Sequence, residues 1–276
     1  MKFSMYQVDA FADKLFTGNP AAVIPLKKWP DEELMQKIAM ENNLAETVFF
    51  IKRKDKDYDI RWFTPVAEIN LCGHATLASA YVLFQVLKVK QNRVVFHSKS
   101  GPLTVTKIKQ VKKGKDFSAR MDFPSWKPER IDQYPENLQE ALGVNEIVGV
   151  YKSRDLLIEL NTEEDVRNAT PDFSALKKMN AKFIITAPGK EVDFVSRFFA
   201  PSLGVDEDPV TGSAHAQLIP FWSEKLAKVK MKARQLSSRG GELDCEQHGN
   251  RVFIGGSCVL FFETDFEIKK KDYRTA

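Results

Sequence analysis

Three short stretches carry side chains able to move a proton or hold an anion. In LCGHATLASAYVLF (Leu71 to Phe84), a glycine turn bearing Cys72, Gly73 and His74 opens an almost wholly apolar helix. In DEDPVTGSAH (Asp206 to His215), three acids precede a second glycine turn, with Gly212 and Ser213 at the head of another apolar helix. In NNLAETVFF, Glu46 stands between a helix end and a strand. The first N–H groups of a helix lack intrahelical partners and lie at the positive end of its dipole, so each helix start suits an anion. Glycine, lacking Cβ, lets a ligand come close to the backbone. A carboxylate or a developing enolate oxygen is the expected guest.

Each of these residues also has an ordinary structural reading. Glu46 reads equally as a surface acid at a helix–strand junction. The acids of DEDP would complement the dipole of the following helix, although Asp208 could instead point into a cleft. His74 titrates near neutral pH in ordinary surroundings, but a lone histidine is often a hydrogen-bonded structural residue. N-capping by Thr211 or Ser213 could coexist with anion binding.

The elements that position these residues are mostly strands. FSMYQVD, TVFFIKR, YDIRWF, RVVFHS and GPLTVTKIK alternate or run β-branched and aromatic, as do IVGVY, LLIEL, KFIITA, DFVSRFF, VKMKARQL, RVFIGG and CVLFFET. KKGKD reads as a hairpin turn leading into FSARMDF. PDEELMQKIAMEN is an amphipathic helix with Leu34, Met35 and Ile38 on one face, and DFSALKKMN is a shorter one. Residues 75–88 and 214–227 are apolar over most of their circumference, at least in their first halves. Each must be buried on all sides, which in a strand-rich chain means a curved sheet wrapped around it.

The two halves repeat. A shift of 136 residues sets AETVFF (from Ala45) on AKFIIT (from Ala181) and WFTP (from Trp62) on FFAP (from Phe198). After a three-residue insertion GHA at Gly73 meets GSA at Gly212. The repeat predicts an α+β fold of two pseudo-symmetric domains, each a β-roll around a central buried helix. The boundaries read as 1–117, joined by 265–276, and 118–264. A pseudo-twofold axis would bring the glycine turns face to face across a cleft. Glu46 has Lys182 as its counterpart, so an acid there is not demanded by the fold.

A length of 276 residues suits two domains. The formal charge of +4 is modest and comes largely from Lys107 to Lys115 and Lys269 to Asp272, read as a solvated hairpin and tail. Without interleaved aromatics those lysines give no nucleic-acid signature. Cys72, Cys245 and Cys258 form neither a CxxC pair nor a zinc spacing, which fits a reducing compartment. The start alternates like a strand rather than a signal peptide, and no apolar run is long enough for a bilayer. A cytoplasmic protein with no membrane partner is expected. Walker, GxGxxG, HExxH and GxSxG patterns do not occur in the required contexts.

FTGNPAAVI, NLAETVFF, WFTPVAEINLCGHATLASA, FFAPSLGVDEDPVTGSAHAQL and QLSSRGGEL, in that order from Phe16 to Leu243, together resemble the phenazine-biosynthesis-like PhzF family. The resemblance implies the diaminopimelate epimerase-like fold, with the active site between the domains and a homodimer. It also implies a cofactor-free isomerase that shifts a proton on a small carboxylate-bearing substrate, a dihydro-hydroxyanthranilate ring in the named member. No metal is implied. Carried onto this chain, the acid/base is Glu46, with His74 and Asp208 as helpers that orient substrate or relay a proton. Gly73, Gly212, Ser213 and Asn19 bind the substrate. Epimerases and racemases of similar fold use two cysteines, one at each helix entrance. Cys72 stands at the first, but Thr211 stands at the second, so Cys72 reads as a packing residue. The alternatives are an amino-acid racemase or epimerase on this fold and a non-catalytic ligand-binding or interaction protein.

Overall fold

In the computed structural model, which describes residues 1–108 and 117–273, each strand-like stretch forms a strand. Gly101–Lys107 and Ala119–Pro124 pair antiparallel, Lys107 opposite Ala119. The intervening KKGKD lies outside the described residues. The chain divides into two compact units, Met1–Asp122 with Gly255–Ala276, and Phe123–Ile254.

In the first unit Lys2–Ala10 pairs antiparallel with both Cys258–Glu267 and Asn19–Leu26. Asn19–Leu26 runs parallel to Glu46–Lys52, which pairs antiparallel with Tyr58–Phe63. Tyr58–Phe63 then meets Arg93–Ser98 in parallel, and that strand turns back on Gly101–Lys107. Helix Glu32–Asn42 covers one face, seating Leu34, Met35 and Ile38 against Phe3, Ile24, Phe49 and Phe63. The intervening residues of those strands point the opposite way. Helix Gly73–Tyr81 lies against strands Lys2–Ala10, Asn19–Leu26, Glu46–Lys52 and Cys258–Glu267 and is buried from Gly73 to Ala80. Apolar content all round is thus matched by burial all round.

The second unit repeats this order of pairings. Gly149–Lys152, Leu156–Glu159, Phe183–Pro188, Phe194–Ala200, Lys230–Gln235 and Gly241–His248 follow one another as antiparallel, parallel, antiparallel, parallel and antiparallel neighbours. The register repeats too. Phe183 opposes Phe199 as Thr47 opposes Phe63, Phe194 opposes Ala233 as Tyr58 opposes Phe96, and Phe199 opposes Glu207 as Phe63 opposes Glu68. The repeat seen in the sequence is therefore a repeat of hydrogen-bonded topology.

Both central helices begin earlier than their apolar runs suggest, at Gly73 and Gly212. The first does not stay α-helical to residue 88. It widens into a π turn over Val82–Val86, closed by the Leu87 N–H to the Val82 carbonyl at 2.8 Å. The second, Gly212–Leu226, contains Pro220. Proline has no N–H to give the Ala216 carbonyl one turn back, and the Trp126 N–H takes that carbonyl at 2.9 Å. Short helices at Leu138–Leu142 and Glu163–Asn168 have too few turns to show a period in the sequence.

Candidate active site

Lys2–Ala10 hands the chain to Asn19–Leu26 through a tight loop. The Asp9 carboxylate accepts the Phe16 N–H at 3.1 Å within it. Gly18 closes the loop at φ +70°, where an added Cβ would lie 2.3 Å from the Ala10 carbonyl oxygen, so only glycine fits. Asn19 follows as the first residue of its strand and is fully buried. On the neighbouring strand the first residue is Glu46, delivered by a left-handed Asn43 cap and a three-residue turn after helix Glu32–Asn42. Ala21 and Glu46 share a register position. Two strand starts and one helix start thus meet in the first unit.

His74 sits between them, 3% exposed. Its Nε2 lies 2.8 Å from Oε2 of Glu46, and its Nδ1 lies 3.0 Å from Nδ2 of Asn19. The Glu46 side chain keeps 14% of its surface accessible, against 4% for His74, so Glu46 is the more accessible residue of the two. Burial disfavours charge on His74, but the Cys72 sulfur and the Glu46 carboxylate against the ring outweigh it, and its pKa stands well above the ordinary histidine value. Burial pushes the Cys72 thiol up to about 11, so the thiol is uncharged at neutral pH. The carboxylate is then the partner that holds an imidazolium. Asn19 suits either state of the ring. Its amide nitrogen serves a neutral ring accepting at Nδ1, and a half-turn of the amide offers its oxygen to a charged one.

Cys72 is the N-cap residue of helix Gly73–Tyr81 and gives no side-chain cap. Its Sγ lies 3.6 Å and 3.9 Å from the two ring nitrogens of His74. Its carbonyl takes the Thr76 hydroxyl and N–H. Cys245 and Cys258 lie on strands, buried, and burial holds both thiols up. None of the three cysteines is set up as a thiolate.

In the second unit the corresponding N-cap is Thr211, and the sequence expectation of hydroxyl capping there is not met. The Thr211 hydroxyl donates to the Asp208 carboxylate three residues back, which removes it from the helix start. Gln235 fixes this loop. Its Oε1 accepts the Thr211 N–H at 2.8 Å, and its Nε2 donates to the Asp208 carbonyl at 2.7 Å and to the Thr211 hydroxyl at 3.2 Å. Ser237 donates to the Pro209 carbonyl at 2.8 Å. Gly212 and Ser213 open the helix, and His215 two residues later is fully buried, its Nδ1 donating to the Thr211 carbonyl at 2.9 Å. Asn19, Glu46, Gly73 and His74 are therefore gathered in one unit, and Asp208, Gly212 and Ser213 in the other.

Sequence reasoning passed over Gln235, although it opens QLSSRGGEL. It also passed over a repeated brace. Arg61 forks onto Glu68 at 2.8 and 2.7 Å, and Arg197 forks onto Glu207 at 2.8 and 2.9 Å. Each guanidinium also stands over a phenylalanine, Phe63 at 5.2 Å and Phe199 at 5.0 Å. Both braces span the loop between the aromatic strand and the central helix. The signal was present, for the arginines are 136 apart and the glutamates 139, the two offsets of the repeat. A cavity of about 730 Å³ lined by Met1–Ser4, Pro25–Pro30 and Asp265–Glu267 in the first unit includes none of Glu46, Cys72 or His74.

Among solved structures, a hydroxyproline epimerase from Agrobacterium vitis matches 96% of this chain and 92% of its own at 11% identity and a TM-score of 0.65, which defines the fold as epimerase-like. A PhzF-family phenazine biosynthesis protein from Enterococcus faecalis is far nearer, with 49% identity, 97% of this chain and 100% of that one covered, and a TM-score of 0.91. An uncharacterized isomerase of Pseudomonas aeruginosa is 47% identical over 94% of this chain and 97% of its own. The profile of the PhzC-PhzF family, phenazine biosynthesis-like protein, matches residues 8–264. The chain belongs to that family. No helix among the described residues is long and apolar enough to cross a membrane.

Proposed function

We propose that the protein is an isomerase that moves a proton on a carbon acid without a cofactor, with Glu46 as the acid/base. The observation that carries this reading is the buried chain Glu46–His74–Asn19, at 2.8 and 3.0 Å, which holds a carboxylate against a buried histidine. Glu46 would take a proton from one carbon of the substrate and return it to another. His74 would donate from Nε2 to the carboxylate while it is charged, and that contact weakens as the carboxylate takes up a proton. Asn19 is fully buried behind the ring, which suits a residue that positions His74 better than one that touches substrate.

The substrate class is a small carboxylate-bearing metabolite, with a dihydro-hydroxyanthranilate-like ring as the reference compound. The uncapped start of helix Gly73–Tyr81 suits its carboxylate or a developing enolate oxygen. Asp208, Gly212 and Ser213 keep the substrate-handling roles expected of them as a separate part of the proposal, tested by their own variants. Thiol-based racemisation has less support, because Cys72 is protonated at neutral pH and Thr211 occupies the corresponding N-cap.

A screen of small cyclic and open-chain carboxylates in D₂O tests the function. A substrate will gain deuterium at a carbon in the presence of the enzyme. A set including the reference ring in which no compound ever exchanges would favour the non-catalytic alternative.

A further inference from the structure

The residues around His74 carry a second chemistry. Glu46 Oε2, Cys72 Sγ and a His74 ring nitrogen all lie within 4.8 Å of one another, and each is a ligand atom of the kind zinc takes. With Zn–S near 2.3 Å and Zn–N and Zn–O near 2.0–2.2 Å, a tetrahedral ion needs its donors roughly 3.3–3.6 Å apart. The observed separations are 3.9 Å from Sγ to Nε2 and 2.8 Å from Nε2 to Oε2. For these two pairs, shifts of a few tenths of an ångström per atom would meet the requirement, and the third pair, Sγ and Oε2, lies within 4.8 Å. Glu46 Oε2 is also buried and makes no hydrogen bond of good geometry among the described residues, so its lone pairs are not committed in line with the ring N–H.

Two comparisons within the molecule sharpen this. The repeat sets Lys182, Thr211 and Ser213 at the positions of Glu46, Cys72 and His74, so the fold does not require the donor set. A second cluster, Asp55, Asp57 and His97, has no sulfur, and its acids are already engaged by Arg53 and by His97.

We infer that Glu46, Cys72 and His74 form a three-donor site for Zn²⁺, with a fourth position left for water or an anionic ligand, and that the metal acts as an inhibitor by occupying the Glu46 carboxylate. On binding, the thiol proton of Cys72 leaves to solvent and a Zn–S bond forms, with no change of oxidation state. Metal binding itself does not depend on Glu46 being the acid/base. Only the inhibition does.

The test is spectroscopic. The full chain, stripped of metals with a chelating resin, is titrated with Co²⁺ and then with Zn²⁺. The expected result is one Co²⁺ per chain, with a thiolate-to-cobalt charge-transfer band and tetrahedral d–d bands that Zn²⁺ abolishes. Cys72→Ala, checked for its fold by circular dichroism, should lose the charge-transfer band, while Cys245→Ala should keep it. Should Cys72→Ala not fold, Glu46→Gln serves instead, with an expected fall in Co²⁺ affinity of at least tenfold. Absence of a charge-transfer band in the wild type, its persistence in folded Cys72→Ala, or unchanged affinity in Glu46→Gln would overturn the site. Loss of deuterium exchange on adding Zn²⁺ is read separately. If the bands appear and exchange persists, the inhibitory role fails. If no exchange is seen in any condition, the reading of Glu46 fails and the metal site stands.

Discussion

Acid should weaken the second unit through His215, the buried histidine that anchors the start of its central helix. The ring is fully buried, its Nδ1 donates to the Thr211 carbonyl, and its Nε2 has no hydrogen-bond partner among the described residues. Burial lowers its pKa from 6.5 to about 4, with the Thr211 carbonyl opposing only in part. The folded state therefore binds this proton less readily than the unfolded chain. Stability from the neutral ring is complete above pH 6.5 and is lost as pH falls from there towards about 4. At about 1.36 kcal/mol per pKa unit, the full loss is about 3 kcal/mol, of which about 2 kcal/mol has gone by pH 5. His215→Leu removes the titration along with one hydrogen bond. It should cost about 1 kcal/mol at pH 7.5 and then lose about 2 kcal/mol less than wild type between pH 7.5 and pH 5. Urea unfolding followed by tryptophan fluorescence at the two pH values measures this, since Trp126 and Trp222 lie in the same unit. Equal pH dependence in the two proteins would refute the linkage.

The braces and clamps carry their own expectations. Arg197→Met breaks the fork onto Glu207 and the 2.8 Å hydrogen bond to the Ala169 carbonyl. It should cost about 2–3 kcal/mol in chemical denaturation, and a change below about 0.5 kcal/mol would mean the fork is idle. Gln235→Leu strands the Thr211 N–H and the Asp208 carbonyl, for about 2–4 kcal/mol. Faster hydrogen exchange should appear first at Thr211 to Ser213, and unchanged protection there would count against the clamp. Asn19→Leu frees the far side of His74, so substrate deuterium exchange should fall about tenfold with little change in apparent KM. A shift in the ¹⁵N resonances of the His74 ring should accompany it, and unaltered resonances would remove Asn19 from the positioning role.

Many of the strands were readable because they bury one or both faces, and alternation or an unbroken β-branched and aromatic run survives in the sequence as in ETVFFIK and FVSRFFA. The repeat was readable for the same reason, since equal registers demand equal apolar spacing, as at Phe63 and Phe199. The ends of elements were less so. The π turn at Val82–Val86 arises from backbone pairing that no side-chain period encodes, and Pro220 is tolerated in a helix only because Trp126, distant in sequence, serves the freed carbonyl. At the site, Glu46 and His74 could be picked out by chemistry and resemblance, and the structure brings them to 2.8 Å. The fully buried setting of Asn19 behind His74 could not, because it depends on which strand pairs with which. Thr211 looked like a cap by position, but the competing acceptor three residues back took its hydroxyl.

The central claim is that Glu46 itself carries the proton, and it is tested most directly by Glu46→Gln, which is close to isosteric and cannot act as a base. For any compound that the wild-type enzyme labels from D₂O, the variant should still bind it, within about tenfold in Kd by calorimetry, while the exchange rate falls by about 10³-fold or more. Exchange in Glu46→Gln at the wild-type rate would contradict the account.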